Sequence, residues 1–262
     1  MKGSILIIIG AGFITSCHKE QGIPSNGWNW FGTHDESVYN YVLISANQVA
    51  DKADSENFQI SASAAFIDSN SRKLSGINEL TINSRTISRN VDSTYSFAYN
   101  NTVFFQEGLS LFGTEINIRI QGNSQEDSIT KTVYLPKKIV RLIDDFPVDA
   151  EISKDMHLSW DTDPQNHWGN VMVQVYYYPA LSHFSDSSLP AKIDPLSYTV
   201  QDLGSFDIPA ADLKKFPLKA YIGVSIARGE QEEAVLPKSL RRVYYFTSSS
   251  ASSIPLLVSY PK

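Results

Sequence analysis

The sequence predicts an all-β protein built as two tandem antiparallel β-sandwiches. Three observations carry that prediction. Apolar residues recur with period two along almost the whole chain, the spacing of half-buried strands. The alternating runs are separated by clusters of Asn, Asp, Ser and Gly, such as Asp68-Ser69-Asn70-Ser71 and Gly122-Asn123-Ser124, residues that favour turns through short side-chain bonds to the backbone and tolerance of positive φ. Finally, there is no series of helical segments to cross a parallel sheet, which leaves strands joined by turns and packed as sandwiches.

In the first half the alternation runs through Tyr39, Tyr41 and Leu43, then Phe58, Ile60, Ala62, Ala64 and Phe66. Leu80 and Ile82 flank Thr81, Tyr95, Phe97 and Tyr99 alternate, and so do Ile116, Ile118 and Ile120. Thr130 to Leu135 closes the set before Pro136-Lys137-Lys138 interrupts it. A second series follows: Ile139 to Ile143; Met156, Leu158 and Trp160; Val171, Val173, Val175 and Tyr177; Tyr198 to Val200; Phe206 to Ile208; Ala220, Ile222, Val224 and Ile226; Val243 to Thr247; and Leu256 to Tyr260. Only Ala210 to Phe216, between Pro209 and Pro217, reads as helical, because proline lacks an N–H and clashes with the preceding turn. The expected domains are 28–136 and 138–262, joining near Pro136 to Val140 and folding independently. The halves end alike, in Val133-Tyr134-Leu135-Pro136-Lys137 and Val258-Ser259-Tyr260-Pro261-Lys262, a hint of a repeat.

The N-terminus carries a different signal. Lys2 is followed by the apolar run Ile5 to Ile9, then Ile14-Thr15-Ser16 and the only cysteine, Cys17. The apolar stretch is shorter than the ~20 residues that a helix needs to span a bilayer and suits a signal-peptide core. The segment resembles a bacterial lipoprotein signal peptide with its lipobox. That resemblance implies removal of residues 1–16, covalent lipid on Cys17, and a tether over 17–27. At ~0.8 kcal/mol per buried CH₂, two or three acyl chains give stable anchoring without the protein body touching the membrane. His18-Lys19-Glu20 places no Asp after the cysteine. A Lys-acidic pair there is similar to the export signal of Bacteroidetes surface lipoproteins, so the expected location is the outer membrane, periplasmic-facing or surface-exposed, with the surface favoured.

Composition narrows the function classes. The chain is 42% hydrophobic and 11% aromatic with a net charge of −6, enough apolar material for ordinary cores. Its Lys and Arg residues form no run longer than a pair, such as Arg241-Arg242, which argues against nucleic acid, since phosphate binding needs a basic surface. With Cys17 committed to lipid, no thiol remains for disulfides, thiolate catalysis or zinc-thiolate sites.

Asp161, Asp163 and Asn166 offer three oxygen ligands at close spacing, and calcium takes 6–8 oxygens. The glycine and closing glutamate of an EF-hand loop are missing, and the same residues can cap backbone N–H groups in a turn. His157, His167 and His183 have no helical i, i+4 pair, and zinc needs three or four converging ligands; solvated or hydrogen-bonded histidines are the better reading. There is no Gly-x-Ser-x-Gly elbow, and Asp144-Asp145 reads as an ordered turn, so no catalytic residue is assigned. Trp28 and Trp30, with Phe31, follow the tether; Tyr176, Tyr177 and Tyr178 form a second aromatic run. Of these, Trp28, Trp30, Tyr176 and Tyr178 are candidate ligand-binding residues, since exposed rings can stack on sugars or add contact area to a protein interface; burial within the sandwiches is the competing reading. Trp160 shares a face with Met156 and Leu158 and is expected to close one end of the second core.

Three phrases of the second half occur together: Trp160-Asp161-Thr162-Asp163-Pro164-Gln165-Asn166-His167-Trp168-Gly169, Asp202-Leu203-Gly204-Ser205-Phe206 and Ala227-Arg228-Gly229. They resemble Bacteroidetes-type surface lipoproteins with immunoglobulin-like domains. The resemblance implies the architecture and the location, and it transfers no activity. The expected protein is therefore a lipid-anchored cell-envelope binding or structural module of two immunoglobulin-like domains without catalytic activity, attached to the membrane through its lipid only and engaging a protein or glycan partner. The alternative is a glycan-binding accessory lipoprotein of an outer-membrane uptake system.

Overall fold

A computed structural model describes residues 40–50, 58–66, 77–91, 95–99, 110–122, 128–139, 149–237, 242–253 and 255–259. Cys17, the tether, Trp28, Trp30 and Asp144-Asp145 lie outside them. The described part is all-β, with antiparallel pairing dominant.

The first seven strands are β1 (Asn40–Ala50), β2 (Phe58–Phe66), β3 (Glu79–Ile82), β4 (Arg85–Ile87), β5 (Tyr95–Tyr99), β6 (Thr114–Gln121) and β7 (Ile129–Leu135). They form two layers. Strands β1, β2 and β5 lie side by side in one sheet, and β4-β3-β6-β7 make the other. The chain therefore changes sheets after β2, again after β4 and again after β5, the Greek-key wiring of an immunoglobulin-like sandwich. Ile116, Ile118 and Ile120 of β6 are fully buried against Ala62, Ala64 and Phe66 of β2 in one apolar cluster. Each such aliphatic side chain contributes about 1.5–3 kcal/mol through removal from water. The β3–β4 hairpin turns on Asn83 and Ser84, both at positive φ (46° and 66°), as the right-handed twist of paired strands requires of a two-residue turn. Asn83 Oδ1 accepts the Asn117 N–H at 2.8 Å and ties the turn to β6.

The second half contributes β8 (Asp149–Glu151), β9 (Met156–Ser159), β10 (Asn170–Tyr177), α1 (Pro179–Ser185), β11 (Leu196–Gln201), β12 (Ser205–Ile208), α2 (Ala210–Leu213), β13 (Tyr221–Val235), β14 (Arg242–Ser253) and β15 (Leu256–Ser259). The order β11-β10-β13 carries one layer, with β15 and β8 beside the start of β13, and β9 pairs β12 in the facing layer. Val171, Val173 and Val175 of β10 are fully buried against Leu158, Trp160, Val224 and Ile226. The predicted helix over 210–216 is present as the short α2. The expectation of a single helix is corrected by α1, which begins at Pro179 and buries Ser182. Proline at the first helical position costs nothing, because that N–H has no partner in a helix anyway. Two pairings are parallel, β1 with β14 and β8 with β15, where the sequence predicted antiparallel order. The expected strand over 139–143 is described only at Ile139, which lies buried outside any strand.

Core membership changes abruptly along the chain. Leu135 belongs to the first cluster and Ile139 to the second. It then changes back. β13 and β14 pair antiparallel from Ser225↔Ser252 to Val235↔Arg242, and this long hairpin leaves the second sandwich for the first. Ala251 near its base packs in the second core, whereas Leu236, Val243 and Tyr245 toward its tip pack in the first. The outer side of β14 pairs with β1 from Tyr41↔Tyr244 to Ala50↔Ser253. One nine-stranded sheet consequently runs through both halves.

Candidate functional site

The densest polar chemistry lies at the foot of this hairpin. Arg228 on β13 has no solvent exposure. Its Nη2 donates to the Asp161 carbonyl, and Nη1 lies 3.4 Å from Asp202 Oδ2 and 3.9 Å from Asp163 Oδ2. Burial pushes its pKa down, and Asp202 and Asp163 push it back up. A guanidinium taken out of water at this depth needs such counter-charges, since an unpaired buried ion is costly.

Each carboxylate is held from other directions as well. Asp163 accepts the Tyr134 hydroxyl at 2.9 and 3.0 Å, the Lys137 N–H at 2.8 Å and the Gln165 N–H at 3.1 Å. Asp202 accepts the Trp160 indole N–H at 2.8 Å and the Asn166 side-chain amide at 3.1 Å. The remaining bond from that amide goes to the Asn170 carbonyl at 2.8 Å. Gly204, at φ +89°, makes the turn into β12 and brings its carbonyl to the Trp160 N–H at 2.8 Å. A Cβ there would stand 3.1 Å from the Trp160 carbonyl and the Thr162 methyl, so glycine is needed both for the conformation and for the approach. All three phrases that carried the family resemblance thus meet around one guanidinium.

The first half reaches the same cluster. Tyr134, at the end of β7, gives its hydroxyl to Asp163 and its carbonyl to the Thr247 hydroxyl of β14 at 2.8 Å. Burial, then Asp163, raises the Tyr134 phenol well above its ordinary value. The His167 ring lies 5.9 Å from the Tyr134 ring. Glu230, two residues beyond Arg228 and only 6% exposed, accepts the His167 N–H at 2.8 Å and faces His167 Nδ1 at 3.1 Å. Lys131 of β7 pairs with Glu232 of β13 at 2.6 Å.

The calcium reading of Asp161, Asp163 and Asn166 has to be set against this geometry. The Asp163 oxygens are turned onto three protein donors and the Asp161 carbonyl onto Arg228, whereas the Asn166 side-chain oxygen is buried without a hydrogen-bond partner. Among the described residues no group of three or more His, Cys, Asp or Glu side chains is placed to hold a metal ion. The histidines have separate partners: His157 Nδ1 faces Asp207 at 2.7 Å, His183 Nε2 faces the Leu189 carbonyl at 2.7 Å, and His167 faces Glu230.

Tyr176 and Tyr178 are both half-buried. Their rings meet edge to face at 5.0 Å and 75°, with the Tyr178 hydroxyl donating to that of Tyr176 at 3.0 Å. Burial first, and Tyr176 second, lift the Tyr178 pKa far above normal. The Tyr176 ring lies over Gly223 of the neighbouring strand, where a Cβ would come within 2.5 Å of it. Two rings at right angles, one pressed onto the sheet, do not make a flat platform for a sugar.

Sequence reasoning named Trp160 as a core residue and Asp161, Asp163 and Asn166 as one oxygen-rich loop, and missed that Arg228, Asp202, Tyr134 and Glu230 complete the cluster. The signal available was the recurrence of Asp202 and Arg228 in the phrases that carried the resemblance.

Glu230 gives a pH-dependent prediction. Burial raises its carboxyl above the usual range, with His167 opposing. The folded state then binds this proton more tightly than the unfolded chain, so Glu230's contribution to stability is full below its unfolded pKa and is lost as pH rises through the folded one. Glu230→Gln, which keeps an acceptor for the His167 N–H, should gain stability relative to the wild type as pH rises toward neutrality. Denaturation midpoints of both proteins across mildly acidic to neutral pH measure this, and a difference independent of pH would refute it.

No protein-family model matches the chain, and no curated protein matches it. Among solved structures it is similar to the crystal structure of chicken CNTN1 FN1-FN3 domains, at 10% identity and a TM-score of 0.28, over 78% of this chain and 65% of that one. The chain thus spans less than two thirds of that structure's length, and a likeness of this size carries no argument. The strand topology itself defines the class: an all-β protein with immunoglobulin-like sandwich wiring.

Proposed function

We propose that this protein is a lipid-anchored cell-envelope module that binds or holds a partner and has no catalytic activity of its own. The observation that carries this reading is the inward use of its charged groups. Arg228, Asp163 and Asp202, the most deeply placed charges among the described residues, are engaged with one another and with backbone and side-chain groups of both halves. Such a cluster fixes the geometry of the fold and turns its charges onto the protein itself. The anchor is Cys17, with residues 1–16 removed, and the outer membrane, with the surface favoured, is the expected location.

Two experiments test it. A fatty-acid probe fed to cells should label the wild type and leave Cys17→Ala unlabelled; equal labelling of both would end the lipoprotein reading. A chain starting at residue 18 should capture an envelope protein and show no retention on immobilised glycans. Glycan retention abolished by Trp28→Ala or Tyr176→Ala would replace this proposal with the glycan-binding accessory.

A further inference from the structure

The first sandwich borrows a strand. Its β1 would form an edge, but β14 covers that edge along its whole length, Tyr41↔Tyr244 to Ala50↔Ser253. The borrowed strand also contributes to the core beneath. Val243 and Tyr245 are 0% and 1% exposed, and Leu236 at 1% joins them from the hairpin tip, in the cluster that holds Val42, Ile44, Ala62, Phe66 and Ile118. The hairpin's other half belongs elsewhere: Val224, Ile226 and Ala251 lie in the second core. The connection between the sandwiches is three residues long, with Leu135 in one core and Ile139 in the other. Between those two residues, the Lys137 N–H is bound to Asp163, and Tyr134 is bound through its hydroxyl to Asp163 and through its carbonyl to Thr247.

We infer that the β13–β14 hairpin is a strap that makes the first sandwich conditional on the second. Three apolar side chains and a complete strand ladder of the first sandwich are delivered by a hairpin whose base is built by the second core. When the second core opens, the hairpin loses its base, β1 becomes a bare edge, and the first core loses Leu236, Val243 and Tyr245 together. The dependence has a direction. The second core contains residues of 139–258 only, so opening the first sandwich removes no side chain from that core. A partner grasping the first sandwich would therefore pull on a body fixed to the second sandwich by a shared sheet.

Amide hydrogen exchange on the full chain tests the direction. In rising denaturant, amides of β6, in the first core and remote from the hairpin in the sheet order, should never stay protected once those of β10 exchange. Protection of β6 after β10 has opened would overturn the inference. The second arm uses Val243→Asp, which places an unpaired charge in the first core from the strap. Protection in β6 should fall by at least about tenfold while that in β10 is retained. Loss confined to β14 and β1 would reduce the hairpin to a docked loop and refute the strap. Should Val243→Asp fail to fold, Leu236→Ala reads the same comparison with a smaller fall.

Discussion

Arg228→Met is expected to destabilise the protein by about 3–5 kcal/mol, the usual cost of removing one partner of a buried ion pair. Methionine roughly preserves the volume of the side chain, so the loss reports charge more than packing. What remains is Asp163 and Asp202, with side chains 2% and 4% exposed, facing each other with no cation between them. The Asp161 carbonyl loses its donor as well. Denaturant midpoints of wild type and variant measure the size of the deficit. A deficit under about 1 kcal/mol, the range of exposed ion pairs, would mean that water reaches the cluster. The companion change Arg228→Lys should recover little. A lysine point charge cannot reproduce the planar fork that spans Asp161, Asp163 and Asp202.

The strands were legible because their period was. Ile116, Ile118 and Ile120, and Val171, Val173 and Val175, recur with period two, and every one of these six is fully buried. The change of core between Leu135 and Ile139 was also visible, since proline and two lysines interrupt the apolar pattern there. What the pattern could not show was the reach of β13 and β14. Periodicity says which face of a strand is buried and is silent on which core buries it. Glu230 to Val235 carries three glutamates and was assigned to no strand, whereas the structure continues β13 through it, with Glu232 paired to Lys131 of the first sandwich. The short helix α1 escaped for a related reason: seven residues are too few for a helical period to stand out.

The site was half legible. Asp161, Asp163 and Asn166 were recognised as an oxygen-rich loop, for which a cation is the natural complement. That the structure supplies a cation from the chain itself, 67 residues away from Asp161, depends on the strand order. Arg228, directly after the alternating apolar run Ala220, Ile222, Val224 and Ile226, was the available clue. The residue before it is Ala227 and the one after is Gly229, both buried, and a charge among such neighbours needs an internal partner.

Trp160→Ala is expected to cost about 3–5 kcal/mol through lost transfer energy and the cavity left behind. Trp160 is 2% exposed and packs in the second core. Its indole N–H also holds Asp202, which in turn faces Arg228, so the truncation loosens the cluster along with the core. Trp160→Phe separates the two contributions. Phenylalanine fills much of the cavity and omits the donor, and the loss should fall to about 1.5–3 kcal/mol, the scale of a hydrogen bond to a charged group. Because of the strap, neither variant's effect should stop at the second sandwich. The first sandwich contains no contact with Trp160 in its core, yet its unfolding should move to lower denaturant together with that of the second in Trp160→Ala. Near-ultraviolet and amide-exchange probes of each half can follow the two transitions separately. A first-sandwich midpoint that stays at the wild-type value while the second shifts would show that the halves fold independently, as the sequence alone had suggested, and that the hairpin adds contact without dependence.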